Sequence, residues 1–479
     1  MADTPLHYQT IGELGRSIRA GKLSPVELTE HLLARSEHLD SKLNAYRFMA
    51  RQRALAEARA AETALGAGQD LGPLHGIPYA VKDLYDVKNM PTTAGTHLLE
   101  SHKAAEDCTA VHRLARAGMI LTGKTNTVQF AYGGVGINHD HGTPHNPWHE
   151  TPHAPGGSSS GSGVAVASGQ VPIALGSDTG GSVRIPASLC GTTGLKTTVG
   201  RISRAGVYPL SWSLDSVGPL TRSVEDAALV YQAMQGPDLK DSSTVGVPGH
   251  DVLQGLKDGV RGLRLAFAET VFWEEVHPEV AAAVRESAKV FEEQGAQVGS
   301  VEFPEAEEAR QLNSGGLIIA AEAYTCNRKW VDEHFDELDP IVAHRIVKGR
   351  DIPAHEYLSI IRAWEGLRAK ADFALRDVDA LLVPSTAIPA LPVAEVDADK
   401  DIYSQRNLQY LRNTYIGNVL GLCGLSVPCG FTSKGLPIGL MIYCRGFQEE
   451  TVLRIGYAFQ QGSDWHSHRP PLGWAGEGD

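Results

Sequence analysis

The sequence predicts an α/β protein organised around one sheet, and three observations carry that prediction. Between residues 76 and 219, short β-prone runs such as Ile77-Pro78-Tyr79-Ala80-Val81 and Met119-Ile120-Leu121-Thr122 alternate with Gly-rich turns and helical segments. Apolar strand-like runs return late, at residues 380–384, 425–428 and 438–442. No internal repeat divides the chain, so the late runs are expected to pair with the early ones in a single sheet.

In chain order, residues 1–70 read as a helical lead-in. Ser24-Pro25-Val26-Glu27 is a capping-box pattern with proline at the first helical position. It predicts a helix running to about Leu39, with Leu28, Leu32 and Leu39 on its buried face. The Ala/Arg/Glu-rich stretch 51–65 predicts a second helix, ended by Gly66 and Gly68. Residues 76–219 form the α/β core, and an amphipathic helix is expected from Ser223 to Gln235. The Gly/Pro/Asp-rich stretch 236–262 reads as a surface excursion, and 263–375 as mostly helical. Residues 376–479 supply the strands and helices that complete the sheet.

Composition narrows the functional classes. With 479 residues, 42% of them hydrophobic, the chain can fill a substantial core. Its 43 basic and 56 acidic residues give a net charge of −13 with no long basic run, which disfavours nucleic-acid and anionic-membrane partners. The N-terminus lacks the basic and apolar parts of a signal peptide, and no apolar run approaches the roughly 20 residues of a membrane span. A cytoplasmic enzyme is the expectation. Six scattered cysteines without a CxxC pair read as reduced, mostly buried thiols.

Several motifs compete for the chemistry. Gly118 to Thr125 has the spacing of a phosphate-binding loop, but Met119-Ile120-Leu121 inside it reads as a strand, where such a loop must follow one. Gly157-Ser158-Ser159-Ser160-Gly161 has the spacing of a nucleophile elbow, which would make Ser159 the nucleophile; no strand leads into it. His139, His141, His145, His149 and His153 cluster in a polar loop without the regular spacing of a zinc site, and no metal ligand is assigned. More informative is Gly176-Ser177-Asp178-Thr179-Gly180-Gly181-Ser182-Val183-Arg184. A Gly-Gly pair before a serine can turn backbone N–H groups toward one point, as an oxyanion requires. Lys82, at the end of the apolar run 77–81, would by itself be a snorkelling lysine. Beside two serine loops it reads instead as a base, because burial disfavours the ammonium form.

Val81-Lys82-Asp83, the Gly/Ser loop 156–161 and the 176–184 stretch, in this order, strongly resemble the amidase signature family. Thr93-Ala94-Gly95, Asn146-Pro147-Trp148, Gly194-Leu195-Lys196 and residues 215–219 and 426–431 extend the resemblance over nearly the whole chain. It implies one domain over residues 1–479, with a large central mixed β-sheet surrounded by helices. It implies a Ser-cisSer-Lys triad: Ser182 as nucleophile, Ser158 as the bridging serine after a cis peptide, Lys82 as base. It further implies an oxyanion hole at the N–H groups of Thr179, Gly180, Gly181 and Ser182, with Ser159, Asp178 and Arg184 as supporting residues. Tyr132, Gly133, Gly134 and Trp212 are expected pocket walls. The implied substrate is a small amide, carbamate or ester; no cofactor is expected, and a homodimer is a family-level expectation. One branch, the A subunit of glutamyl-tRNA amidotransferase, works in a complex, whereas residues 322–368 look more like free-standing amidases. An inactive scaffold is the alternative of another class, and the filled triad positions oppose it.

Overall fold

The computed structural model describes residues 4–477. Among them eleven strands form one mixed sheet: β1 Tyr46–Met49, β2 Pro78–Lys82, β3 Ile120–Thr125, β4 Ile173–Asp178, β5 Thr193–Lys196, β6 Ser216–Thr221, β7 Arg264–Ala268, β8 Gln297–Val301, β9 Ala380–Pro384, β10 Cys423–Phe431 and β11 Pro437–Cys444. Their order across the sheet is β1-β3-β2-β4-β6-β5-β10-β11-β9-β7-β8. The late strands join the early ones where β10 pairs antiparallel with β5.

Parallel strands β3, β2 and β4 lie at the heart of the first half, and all their residues are buried. That is why they read as continuous apolar runs rather than as alternating ones. Alternate residues still face opposite sides: Tyr79 and Val81 join one hydrophobic cluster, and Ala80 joins another with Val164, Val166 and Ala174. Helix Ser160–Ala167 packs on β4, and helix Arg184–Cys190 packs on β5, β10 and β11. These two helices carry the serine loops at their N-terminal ends, and the loops meet there, the Ser159 N–H reaching the Ser182 carbonyl.

The capping box at Ser24 forms as predicted, with Ser24 Oγ accepting from Glu27 N–H (3.0 Å) and Glu27 accepting from Ser24 N–H (2.9 Å). The helix it opens runs Pro25–Leu43, one turn beyond the predicted end. The next helix, Arg51–Gly66, and the later one, Val224–Met234 capped by Ser223, match their expected positions. Three strands depart from the expectation. β1 interrupts the helical lead-in, and β7 and β8 lie inside the stretch expected to be mostly helical. β7 is Ala-rich and β8 is a mostly exposed edge, so neither carries a strong period-2 signal. Parallel pairing of β7 with β9 and with β8 decides them.

Residues 120–125 are strand β3, and the preceding helix Thr109–Arg116 closes through Gly118 in the left-handed region, so the phosphate-loop spacing there is coincidental. All six cysteines are free, five of them buried. No helix among the described residues is long and apolar enough to cross a membrane.

Candidate active site

Lys82 ends β2 and is fully buried. Its Nζ donates to Ser158 Oγ at 2.7 Å and to Ser177 Oγ at 2.9 Å. Burial pulls its pKa down to about 7, against the opposing pull of the Asp215 and Asp178 carboxylates. A lysine held only by hydroxyls in this way can be a neutral amine near neutral pH.

Ser158 follows Gly157 across a cis peptide bond. Its carbonyl accepts from Thr127 Oγ1 (2.9 Å) and Val128 N–H (3.3 Å), which anchors the loop to the chain leaving β3. Gly157 is required there: a Cβ would lie 2.8 Å from the Gly133 carbonyl oxygen and the Gly136 nitrogen. The Ser159 N–H donates to the Ser182 carbonyl at 3.2 Å, joining the two serine loops backbone to backbone. Ser159 Oγ braces Ser177, accepting from its N–H and donating to its carbonyl, both at 3.3 Å. That brace, rather than a base, is what Ser159 meets.

The Ser182 loop is shaped by Asp178 at the end of β4. This buried carboxylate accepts from the N–H groups of Gly181 (2.8 Å) and Val183 (3.1 Å), from Arg184 Nε and Nη2 (both 3.0 Å) and from Asn418 Nδ2 (2.9 Å). Burial by itself would raise its pKa, but Arg184 holds it well below the usual carboxylate range. Arg184, itself fully buried, donates onward to Tyr443 Oη (2.5 Å) and Asn418 Oδ1 (2.6 Å). Thr414 Oγ1 donates to the Gly180 carbonyl at 2.7 Å, which turns that peptide so its N–H faces the other way. Gly181 has φ +138°, and a Cβ there would collide with Thr414.

The four N–H groups expected to form an oxyanion hole differ in their partners. The Gly181 N–H is committed to Asp178, whereas the N–H groups of Thr179, Gly180 and Ser182 have no protein acceptor among the described residues. Three donors remain free, and the Ser182 hydroxyl likewise has no protein partner there. Thr179 is fixed through its Oγ1, which donates to Asp215 at 2.5 Å.

Two cavities flank this loop. One of about 200 Å³ is lined by Ser177, Tyr208, Trp212 and Asp215, and a second of about 690 Å³ by Tyr132 and Gly180 among others. Trp212 thus lines the smaller cavity and Tyr132 the larger one. Gly133 and Gly134 line neither; the Gly134 carbonyl accepts from Gly157 N–H (2.8 Å) and its own N–H donates to Asn407 Oδ1 (2.7 Å), so they buttress the Ser158 loop. In the histidine loop, ring nitrogens meet carboxylates and backbone carbonyls. His139 lies between Asp339 (2.5 Å) and Asp397 (2.9 Å), and no group of three or more potential metal ligands exists among the described residues. Hydrogen bonding to Asp339 raises the His139 pKa to about 9.

Sequence reasoning assigned no role to Ser177, Asn418, Tyr443, Thr414 or Asp215, all of which touch the site. Ser177 had a local signal, a hydroxyl just before Asp178 at the end of an apolar run. Asn418 and Tyr443 had none, since each meets Arg184 from more than two hundred residues away.

Comparisons with known proteins give the family. The family model described as Amidase matches residues 27–453. The chain is 38% identical over 91% of its length to 2-amino-5-chloromuconic acid deaminase of Comamonas testosteroni, covering 92% of that protein. It is 37% identical over 98% of its length to the A subunit of glutamyl-tRNA(Gln) amidotransferase from Chloroflexus aggregans, covering 99% of it. The crystal structure of native peptide amidase from Stenotrophomonas maltophilia superposes with a TM-score of 0.83 at 28% identity, over 98% of this chain and 99% of that one. The chain belongs to the amidase family and is an enzyme of the class that hydrolyses amide C–N bonds.

Proposed function

We propose that this chain is a free-standing amidase working through an acyl-enzyme on Ser182, with Ser158 passing protons between Ser182 and Lys82. The observation that carries the reading is the 2.7 Å hydrogen bond from a fully buried Lys82 to Ser158, on a loop tied to Ser182 by the Ser159 N–H. In the first half-reaction Ser182 Oγ attacks the substrate carbonyl while its proton moves to Ser158, whose own proton moves to Lys82. The N–H groups of Thr179, Gly180 and Ser182 hold the oxyanion. As the C–N bond breaks, Lys82 returns the proton through Ser158 to the leaving nitrogen. Water then enters, and the same groups deprotonate it as it cleaves the Ser182 ester, releasing the acid and restoring the hydroxyl. Carbamates and esters present the same carbonyl to the same groups.

A second reading has a specific observation behind it. The extent of similarity to the A subunit of glutamyl-tRNA(Gln) amidotransferase supports a glutamine amidase that acts within a complex. Fluorophosphonate labelling of the purified chain, with the modified peptide mapped by mass spectrometry, tests both. Modification of Ser182 that disappears in Lys82→Ala, together with release of acid from simple amides by the chain alone, supports the free-standing enzyme. Labelling without turnover of any amide by the isolated chain would favour the partner-dependent reading, and no labelling would favour a dead site.

A further inference from the structure

The cavity of about 690 Å³ that borders the Ser182 loop at Gly180 is cationic, in a protein whose net charge is −13. Arg310, Arg345, Lys348 and Arg412 line it, against one carboxylate, Glu275. Two of these cations have other tasks. Arg310 is paired with Glu307 (2.5 Å), and Arg345 lies over the Tyr132 ring at 4.0 Å and donates to the Tyr132 carbonyl at 2.6 Å. Arg412 and Lys348 have no carboxylate within ion-pair distance among the described residues. Arg412 is the more telling of the two. Its Nη2 is buried without any hydrogen-bond partner, and its Nε makes only a 3.4 Å contact with Asn413 Oδ1. A buried guanidinium nitrogen left unpaired is costly; Nη2 itself does not open on the cavity, but the charge of Arg412, which no carboxylate pairs, attracts an anion that enters it.

Resting on the amidase reading, we infer that the substrate is an amide bearing a carboxylate, which Arg412 receives in this cavity while Lys348 at its rim attracts the charge. Arg412 comes from helix Lys400–Val419, the same helix whose Thr414 and Asn418 hold the Ser182 loop. Carboxylate binding is thereby fixed relative to the reacting carbonyl by one rigid element. The site thus prefers a half-amide of a diacid to a neutral diamide of the same length.

Binding tests this without relying on turnover. Calorimetric titration of the full-length Ser182→Ala protein with glutaramate and with the neutral diamide glutaramide is expected to show glutaramate binding at least ~10-fold more tightly. Arg412→Leu in that background reduces this ratio by roughly 10-fold, and Lys348→Glu, at an exposed position, by about threefold with an advantage that also falls as salt rises. Equal binding of the two ligands, binding of neither, or a preference untouched by both substitutions would overturn the inference. The amidase reading is judged separately, by Ser182-dependent hydrolysis of amides by the unmodified enzyme. That hydrolysis would stand if the carboxylate preference failed.

Discussion

Lys82 and Lys124 sit near the ends of adjacent parallel strands, both without exposed surface, yet they meet different partners. Lys124 stands opposite Val81 in the register, one position short of Lys82, so the two side chains leave the sheet by opposite faces. On one face Lys124 meets the Asp83 carboxylate at 2.6 Å and Thr92 Oγ1 at 3.0 Å. Burial lowers the pKa of Lys124 and raises that of Asp83, and their attraction opposes both shifts. On the other face Lys82 meets only the hydroxyls of Ser158 and Ser177, and nothing adjacent opposes burial so directly. Burial is common to both. What separates the proposed base from a structural ion pair is the absence of a contacting carboxylate, and Asp83, the residue next to Lys82 in the chain, serves the other lysine.

The contrast can be broken by exchanging what each lysine loses. Lys82→Met should lower kcat/KM by roughly 10⁴-fold, with little change in melting temperature, because it removes the proton acceptor but strands only hydroxyls. Lys124→Met should do the reverse. It leaves Asp83 buried without its cation and is expected to cost about 3–5 kcal/mol in denaturant unfolding, much of it recovered when Asp83→Asn is added. Equal effects of the two single substitutions on both turnover and stability would erase the distinction.

The pH profile sharpens the same point with a smaller effect. With the Lys82 pKa lowered to about 7, the neutral amine is scarce in acid, so kcat/KM should rise roughly fifty-fold from about pH 5 to about pH 7 and then level off. A rise that continues with the same slope to about pH 10 would mean that burial does not set this pKa. The smallest expected effect is that of Ser177→Ala. Removing one of the two hydroxyl partners of Lys82 should cost about 1 kcal/mol of transition-state stabilisation, near fivefold in kcat/KM, measured at the pH plateau.

The runs 77–81, 119–122, 380–384, 425–428 and 438–442 were legible as strands because their burial is written locally, as mostly apolar runs between turn residues. The capping box at Ser24 was legible because a cap and its partner are three residues apart. β1, β7 and β8 were not, since segments of four or five residues, half-buried in β1, Ala-containing in β7 and mostly exposed in β8, become strands only through the neighbour that pairs with them.

The candidate site divides along the same line. The residues themselves drew attention to Ser182 after its Gly-Gly pair and to Lys82 at the end of an apolar run, whereas the roles expected of Ser158, Asp178 and Arg184 came from the resemblance to the amidase signature family. Tertiary structure alone decided that Ser177 shares Lys82, that the Gly181 N–H is taken by Asp178, and that Gly134 ties the Ser158 loop to Asn407. It also decided that Arg184 is clamped from β11 and from helix Lys400–Val419. The physical reason is range: periodicity, caps and turn chemistry act over a few residues. Hydrogen-bond direction and charge pairing depend on which distant segments the sheet brings within about 3 Å.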